Sequence, residues 1–141
     1  MMSAAPELRA PGLRCPCLSG ETYGACCAPL HRGETLAPTA VRLMRSRYSA
    51  FALGDTAYLS ATWHPSTRPS DLELDSDQHW IRLDIENSTG GGLLATTGTV
   101  EFTAYYRAVE DGRTVRGEQH ENSRFLKEGG RWFYVDEVTA S

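Results

Sequence analysis

At Trp80 the hydrophobic period of this chain changes, and that switch restricts the fold more than any other feature of the sequence. Before it, Val41, Met44, Tyr48 and Phe51 recur at helical spacing, with Thr39 placed to cap the start and Gly54 to end the run. Asp55 can cap a second helix, DTAYLSATW, which Pro65 terminates after Trp63 and His64. Residues 66–79 are polar, and a loop with one helical turn around 70–78 is expected there. From Trp80 onward the period is two. Ile81, Leu83 and Ile85 alternate with charged residues, and the loop NSTGGG follows. Val100, Phe102, Ala104 and Tyr106 then alternate likewise. Glu110-Asp111-Gly112 turns the chain into a strand over 113–127, and Glu128-Gly129-Gly130 turns it again into RWFYVDEV. Helices first, then antiparallel strands joined by tight hairpins, specify an α+β fold: a curved sheet wrapped on N-terminal helices, able to enclose a pocket.

The N-terminus carries different information. All four cysteines of the chain, Cys15, Cys17, Cys26 and Cys27, fall in the run CPCLSGETYGACC. Two close pairs across a short loop suit a tetrahedral four-sulfur zinc site. Another soft metal, an iron–sulfur group, free thiols and a disulfide framework with bridges across the two pairs are the alternatives. Against disulfides, residues 1–14 show no apolar export segment, so a cytoplasmic, reducing location is expected. Bridges within Cys15/Cys17 or Cys26/Cys27 would also be strained. Four thiolates leave no position for water, so the expected cofactor is one structural zinc ion per chain. His31, four residues past Cys27, is an alternative fourth ligand; otherwise it is an ordinary surface histidine.

Cys15-Pro16-Cys17, Ser19-Gly20, Tyr23 and Cys26-Cys27 together resemble the SEC-C motif, a small zinc-binding element. Leu18 departs from the pattern, standing where glycine is usual, and pays a steric penalty if that position has positive φ. The resemblance extends through Pro29-Leu30-His31, residues 43–55, Thr62-Trp63-His64-Pro65, Ser123-Arg124-Phe125, Arg131-Trp132 and Tyr134-Val135-Asp136. These look like the YchJ family, in which a SEC-C motif precedes an NTF2-like domain; residues 66–118 carry little of the match. The resemblance implies a flexible N-terminus over 1–14, a zinc motif over 15–34 and an NTF2-like cone over 39–141. Because the SEC-C motif of the SecA translocase docks an export chaperone and the ribosome, it also implies a protein partner for the zinc motif here.

Composition narrows the partners. A formal charge of −4 gives no bulk attraction to nucleic acid, and no apolar run is long enough to span a bilayer. Arg42 and Arg45, with Arg32, could form a small patch for an anionic partner. Arg47 falls between Leu43 and Phe51 at the margin of the apolar helix face, where a guanidinium needs a hydrogen-bonding carboxylate. Glu121 shares a strand face with Ser123 and Phe125, so an Arg47–Glu121 pair is expected between helix and sheet, as a structural ion pair or as the polar floor of a pocket. His64, near the expected cone mouth, is a candidate general base, or simply a helix-end residue. His120, Glu118 and Arg124 should form a solvated face, and Trp132, Phe133 and Tyr134 should supply core. No nucleophile elbow, phosphate loop or paired-carboxylate signature is present. Two functional classes remain: a binding or adaptor module acting through its zinc element, or a cone that binds or transforms a small molecule. An open pocket lined by Arg47, Glu121 and His64 would favour the small molecule. A filled pocket, with Tyr23 and Leu18 exposed on the zinc loop, would favour the adaptor.

Overall fold

The structure, a computed structural model, describes residues 9–75 and 77–138. After a 3-10 turn at Tyr23–Ala25 come three helices: α1 (Ala28–His31), α2 (Ala40–Leu53) and α3 (Thr56–Ala61). Four strands follow: β1 (Gln78–Gly90), β2 (Thr97–Glu110), β3 (Arg113–Glu128) and β4 (Arg131–Glu137). They form one antiparallel meander in the order β1-β2-β3-β4. The α+β fold expected from the period switch is the fold observed.

The signals that bound the helices operate as their chemistry dictates. Thr39 Oγ1 accepts from the Arg42 amide at 3.1 Å, and Gly54 ends α2 in the left-handed region at φ 77. Asp55 caps α3 through the Tyr58 amide at 3.0 Å. Helix α3 stops at Ala61, earlier than expected, because the Thr62 hydroxyl donates back to the Tyr58 carbonyl at 2.8 Å. Asp111-Gly112 and Gly129-Gly130 supply consecutive positive φ angles, as two-residue hairpins with the twist of the strands require.

Two expectations fail. No helical turn forms among the described residues of 70–78; strand β1 already begins at Gln78. At the other end, β1 runs through Asn87–Thr89 to Gly90 instead of breaking into a loop after Glu86. Pairing with β2 overrides the polar composition there: Thr89 lies opposite Thr99 and Gly90 opposite Gly98. The hairpin tip then docks on α2, where the Gly91 carbonyl accepts from the Ala40 amide at 3.0 Å.

Bulges at Ile81 and Glu86 of β1, and at Val135 of β4 opposite Arg124/Phe125, interrupt the registers and bend the sheet around α2. The edge strand β4 is covered by the segment after α3: His64 donates to the Tyr134 carbonyl at 2.7 Å, and Tyr134 to that of Thr62 at 2.8 Å. A single core results. Leu43, Met44 and Tyr48 of α2 pack between Val100, Phe102, Phe125 and Trp132 of the sheet and Cys15, Tyr23 and Leu30 of the N-terminal loop.

Of the N-terminus expected to be flexible, residues 1–8 lie outside the described residues. The remainder is tied into the cysteine loop: Gly24 donates to the Pro11 carbonyl at 2.9 Å and Tyr23 to that of Leu13 at 2.7 Å. The ordered motif therefore begins before Cys15.

Candidate functional site

The loop 15–27 brings its four sulfurs to one point. Leu18 donates to the Cys15 carbonyl and Cys15 to that of Glu21, both at 3.0 Å, which folds the chain back between the two pairs. All four sulfurs lie within 4.8 Å of one another, with Cys17–Cys26 at 3.6 Å and Cys26–Cys27 at 3.9 Å. A tetrahedron with metal–sulfur bonds of about 2.3 Å has edges of about 3.8 Å, so the cluster fits a metal ion. These separations are far beyond the bond length of a disulfide, about 2.05 Å. All four cysteines are buried. Thiol bonds from Cys15 and Cys27 draw Cys17 well below the ordinary thiol range, and those from Cys15 and Cys17, with burial, push Cys27 up. Crowded sulfurs of this kind favour a cation that removes the shared protons.

Donors surround the sulfurs. Ser19 Oγ lies 3.2 Å from Cys26, Ser49 Oγ 3.3 Å from Cys27 and Arg42 Nη1 3.5 Å from Cys27. Arg42 Nη2 also donates to the Cys26 carbonyl, and Arg45 Nη1 to that of Cys17 at 3.0 Å. Arg42 and Arg45 are thus spent on the cysteine loop, which corrects the expected anionic-partner patch. They and Ser49 lie along one face of α2, so that helix forms one wall of the site. His31 is outside the sulfur cluster. Its Nδ1 accepts from Tyr23 Oη at 2.7 Å and its Nε2 donates to the Ser46 carbonyl at 2.8 Å, so both ring nitrogens are occupied. Tyr23 is itself buried, contrary to one criterion for an exposed docking loop. Leu18 is 44% exposed at φ 61 and carries the expected strain.

The second site lies on the opposite side of α2. A cavity of about 190 Å³ opens between α2, Trp63 in the segment after α3, and the concave face of the sheet. Its lining grades from exposed Gln119 through half-buried Phe51 and Trp80 to buried Arg47 and Ser123. Arg47 is 3% exposed. Its Nη1 donates to the Leu59 carbonyl at 2.8 Å and to Thr62 Oγ1 at 2.6 Å. The guanidinium carbon stands 5.2 Å from the ring centre of Trp63 and 4.8 Å from that of Tyr134. Burial pulls its pKa down to about 10, which leaves it a cation at neutral pH.

Arg47 and Glu121 line this same cavity but do not form the expected direct pair. Glu121 Oε2 instead accepts from Ser123 Oγ at 2.5 Å and Tyr134 Oη at 3.1 Å. A backbone carbonyl and a hydroxyl engage only Nη1 of Arg47, two aromatic faces flank its guanidinium, and Tyr134 stands against both charges. His64 is not in the cavity. It bonds Ser66 Oγ at 2.7 Å and Glu128 Oε1 at 3.0 Å and packs on Phe133, so its candidacy as a general base at the cone mouth is withdrawn.

Sequence reasoning did not single out Tyr48, Trp63 and Tyr134 as cavity residues, because aromatic side chains at core spacing look alike whether they fill a core or line a hole. On the outer sheet face, His120 lies 2.8 Å from Glu101 and 3.2 Å from Glu86, and Arg124 pairs with Asp136 at 2.6 Å. These exposed groups satisfy one another, as expected of a solvated face.

A closed four-cysteine loop packed on an α+β cone defines a SEC-C motif joined to an NTF2-like domain. Comparisons agree: residues 14–29 match the SEC-C motif, and residues 39–137 match the middle NTF2-like domain of YchJ. The chain belongs to this YchJ family, whose relatives include UPF0225 proteins. One from Corynebacterium glutamicum is 51% identical over 87% of this chain and 94% of its own length. Another, from Streptomyces coelicolor, is 48% identical over 86% and 92%. The solution structure of a SEC-C motif containing protein from Rhodopseudomonas palustris superposes with a TM-score of 0.75 at 32% identity, covering 90% of this chain and 98% of that one. A crystal structure of a SEC-C motif containing protein from Psychrobacter arcticus gives 0.70 at 27% identity, covering 94% and 88%.

Proposed function

We propose that this protein binds a small molecule in the cone cavity and that its cysteine cluster holds one structural zinc ion. The observation that carries the reading is the floor of the cavity. Arg47 is almost fully buried there, yet only its Nη1 is hydrogen-bonded to protein, leaving Nε and Nη2 without an acceptor among the described residues. A half-satisfied buried cation beside an open apolar cavity is costly as a purely structural device and useful as a ligand anchor.

Zinc fits the metal site through the donor set, since soft thiolates and tetrahedral spacing select it among common ions. Bound by Cys15, Cys17, Cys26 and Cys27, it would cross-link the loop, and Arg42 would offset the negative charge of the thiolates. Reduced thiols also suit a cytoplasmic protein. Among the described residues, no helix is long and apolar enough to cross a membrane.

Screening of small organic fragments by ligand-observed NMR tests the cavity, with a Gln119→Trp variant to block its mouth. Fragments that bind wild type and lose binding to the variant support the reading; identical profiles oppose it.

A second reading has one observation in its favour. Leu18 keeps an exposed apolar side chain in a strained backbone region, as a contact residue of an adaptor loop would. The SEC-C resemblance suggests export or ribosomal partners. Co-sedimentation with ribosomes that weakens in Leu18→Gly would support this role, and partition unchanged by the substitution would count against it.

A further inference from the structure

Resting on the cavity reading, we infer that the ligand is a small aromatic acid bearing a second hydrogen-bond donor, of the hydroxybenzoate or aminobenzoate type. The acid end follows from Arg47. Nη1 is tied to Leu59 and Thr62, which fixes the guanidinium plane and leaves the Nε–Nη2 edge without a partner. That edge is the side-on fork that takes a carboxylate with two parallel hydrogen bonds. The rings of Trp63 and Tyr134 brace it, so little conformational freedom remains to be lost on binding.

Other polar groups agree in sign. Tyr48 Oη and Trp63 Nε1 are buried without a hydrogen-bond partner, and both residues line the cavity. Arg47 Nε, Arg47 Nη2 and Trp63 Nε1 can only donate, while Tyr48 Oη can donate or accept, so donors are in excess on the side of α2 and Trp63. Across from them Glu121 supplies the acceptor. Its Oε2 is already engaged by Ser123 and Tyr134, whereas Oε1 has only a long contact of 3.5 Å from Gln119. A ligand that presents an anion to Arg47 and an O–H or N–H to Glu121 completes both. A phosphate ester fits worse, because one cation would face a double negative charge with a carboxylate nearby.

The apolar part of the ligand follows from size and lining. Phe51, Trp80 and Phe102 supply aromatic walls, with Met44 between them. A dry cavity of about 150 Å³ accommodates benzene. The present cavity, about 190 Å³ and open at Gln119, has room for one ring and two substituents.

Isothermal titration of the zinc-loaded full-length chain with 4-hydroxybenzoate, benzoate, benzamide, benzyl alcohol and benzamidine tests the inference. The expected order is hydroxybenzoate tightest, benzoate several-fold weaker, the neutral rings at least ten-fold weaker than benzoate, and benzamidine without measurable binding. In Arg47→Lys, which keeps the charge but loses the fork, benzoate should weaken at least ten-fold while benzyl alcohol is unaffected. In Glu121→Leu the advantage of the hydroxyl should disappear. If benzoate binds no better than benzamide, the acid class is overturned while the cavity reading stands on the neutral rings. If no ring compound of any charge binds the folded protein, both readings fail. The wild-type series decides by itself should Arg47→Lys not fold.

Discussion

Two polar clusters are buried against opposite faces of α2, and they are finished to different degrees. At the cysteine loop the sulfurs lie at tetrahedral spacing, with Ser19, Ser49 and Arg42 donating to them, and His31 riveted at both ring nitrogens. At the cone floor, Arg47 has unused donors and Tyr48 Oη and Trp63 Nε1 have no partners. Burial of polar groups is tolerated only when they are satisfied. The cluster that a metal would complete from within is therefore architecture. The cluster that only a guest could complete is the place to look for function.

The largest effect expected is at the metal. Chelation, or the double substitution Cys15→Ser/Cys26→Ser, should take metal content from one ion per chain to none and disorder residues 10–34. The sheet β1–β4 should keep its hydrogen-exchange protection, since its hairpins and the packing of α2 on Val100, Phe102, Phe125 and Trp132 do not pass through the metal. Loss of protection throughout the sheet would erase the distinction between the two regions.

Next comes Arg47. Arg47→Met should cost about 1–3 kcal/mol, chiefly by removing the charged donor shared by the Leu59 carbonyl and the Thr62 hydroxyl. In a double-mutant cycle with Glu121→Leu, the coupling should stay below about 1 kcal/mol, since the residues meet only through Tyr134. Denaturant unfolding of the four proteins measures it. Coupling of about 3–5 kcal/mol, the range for breaking a buried pair, would restore the direct ion pair.

His31→Ala should keep the metal and lose about 1–2 kcal/mol through two missing hydrogen bonds. Metal lost from the folded variant would make the histidine a ligand and the cysteine site incomplete.

Leu18→Gly should raise the melting temperature, by about 1 kcal/mol of relieved backbone strain. A fall would show that the side chain has an intramolecular role. The smallest change belongs to His64→Ala. Its hydrogen bond to exposed Glu128 should contribute less than about 1 kcal/mol, and ligand binding should not respond. Altered binding would return His64 to the cavity.

How much of this was legible in the residues follows from the range of the forces involved. Caps at Thr39, Gly54 and Asp55 and the two glycine hairpins act over a few residues, so their sequence signals survived intact. The extension of β1 to Gly90 depends on β2, whose partner residues are eight or more positions away. Helical spacing placed Arg47 at the edge of the apolar face correctly. It could not reveal that the acceptor is a backbone carbonyl, because backbone groups carry no sequence label. Likewise, nothing local to Arg42 or Ser49 indicates a cysteine loop beside them, although their regular spacing along α2 is visible afterwards as a polar stripe.

The central claim is that ligand is received at Arg47 and not at the cysteine loop. One titration reports both regions at once: ¹⁵N–¹H correlation spectra of the zinc-loaded protein with 4-hydroxybenzoate, following the Arg47 Nε–H signal and the backbone amides of Cys15–Cys27. The account predicts a saturable shift of the Arg47 signal with the cysteine-loop amides unmoved. A saturable shift of the loop amides, with Arg47 Nε–H unchanged, would contradict it.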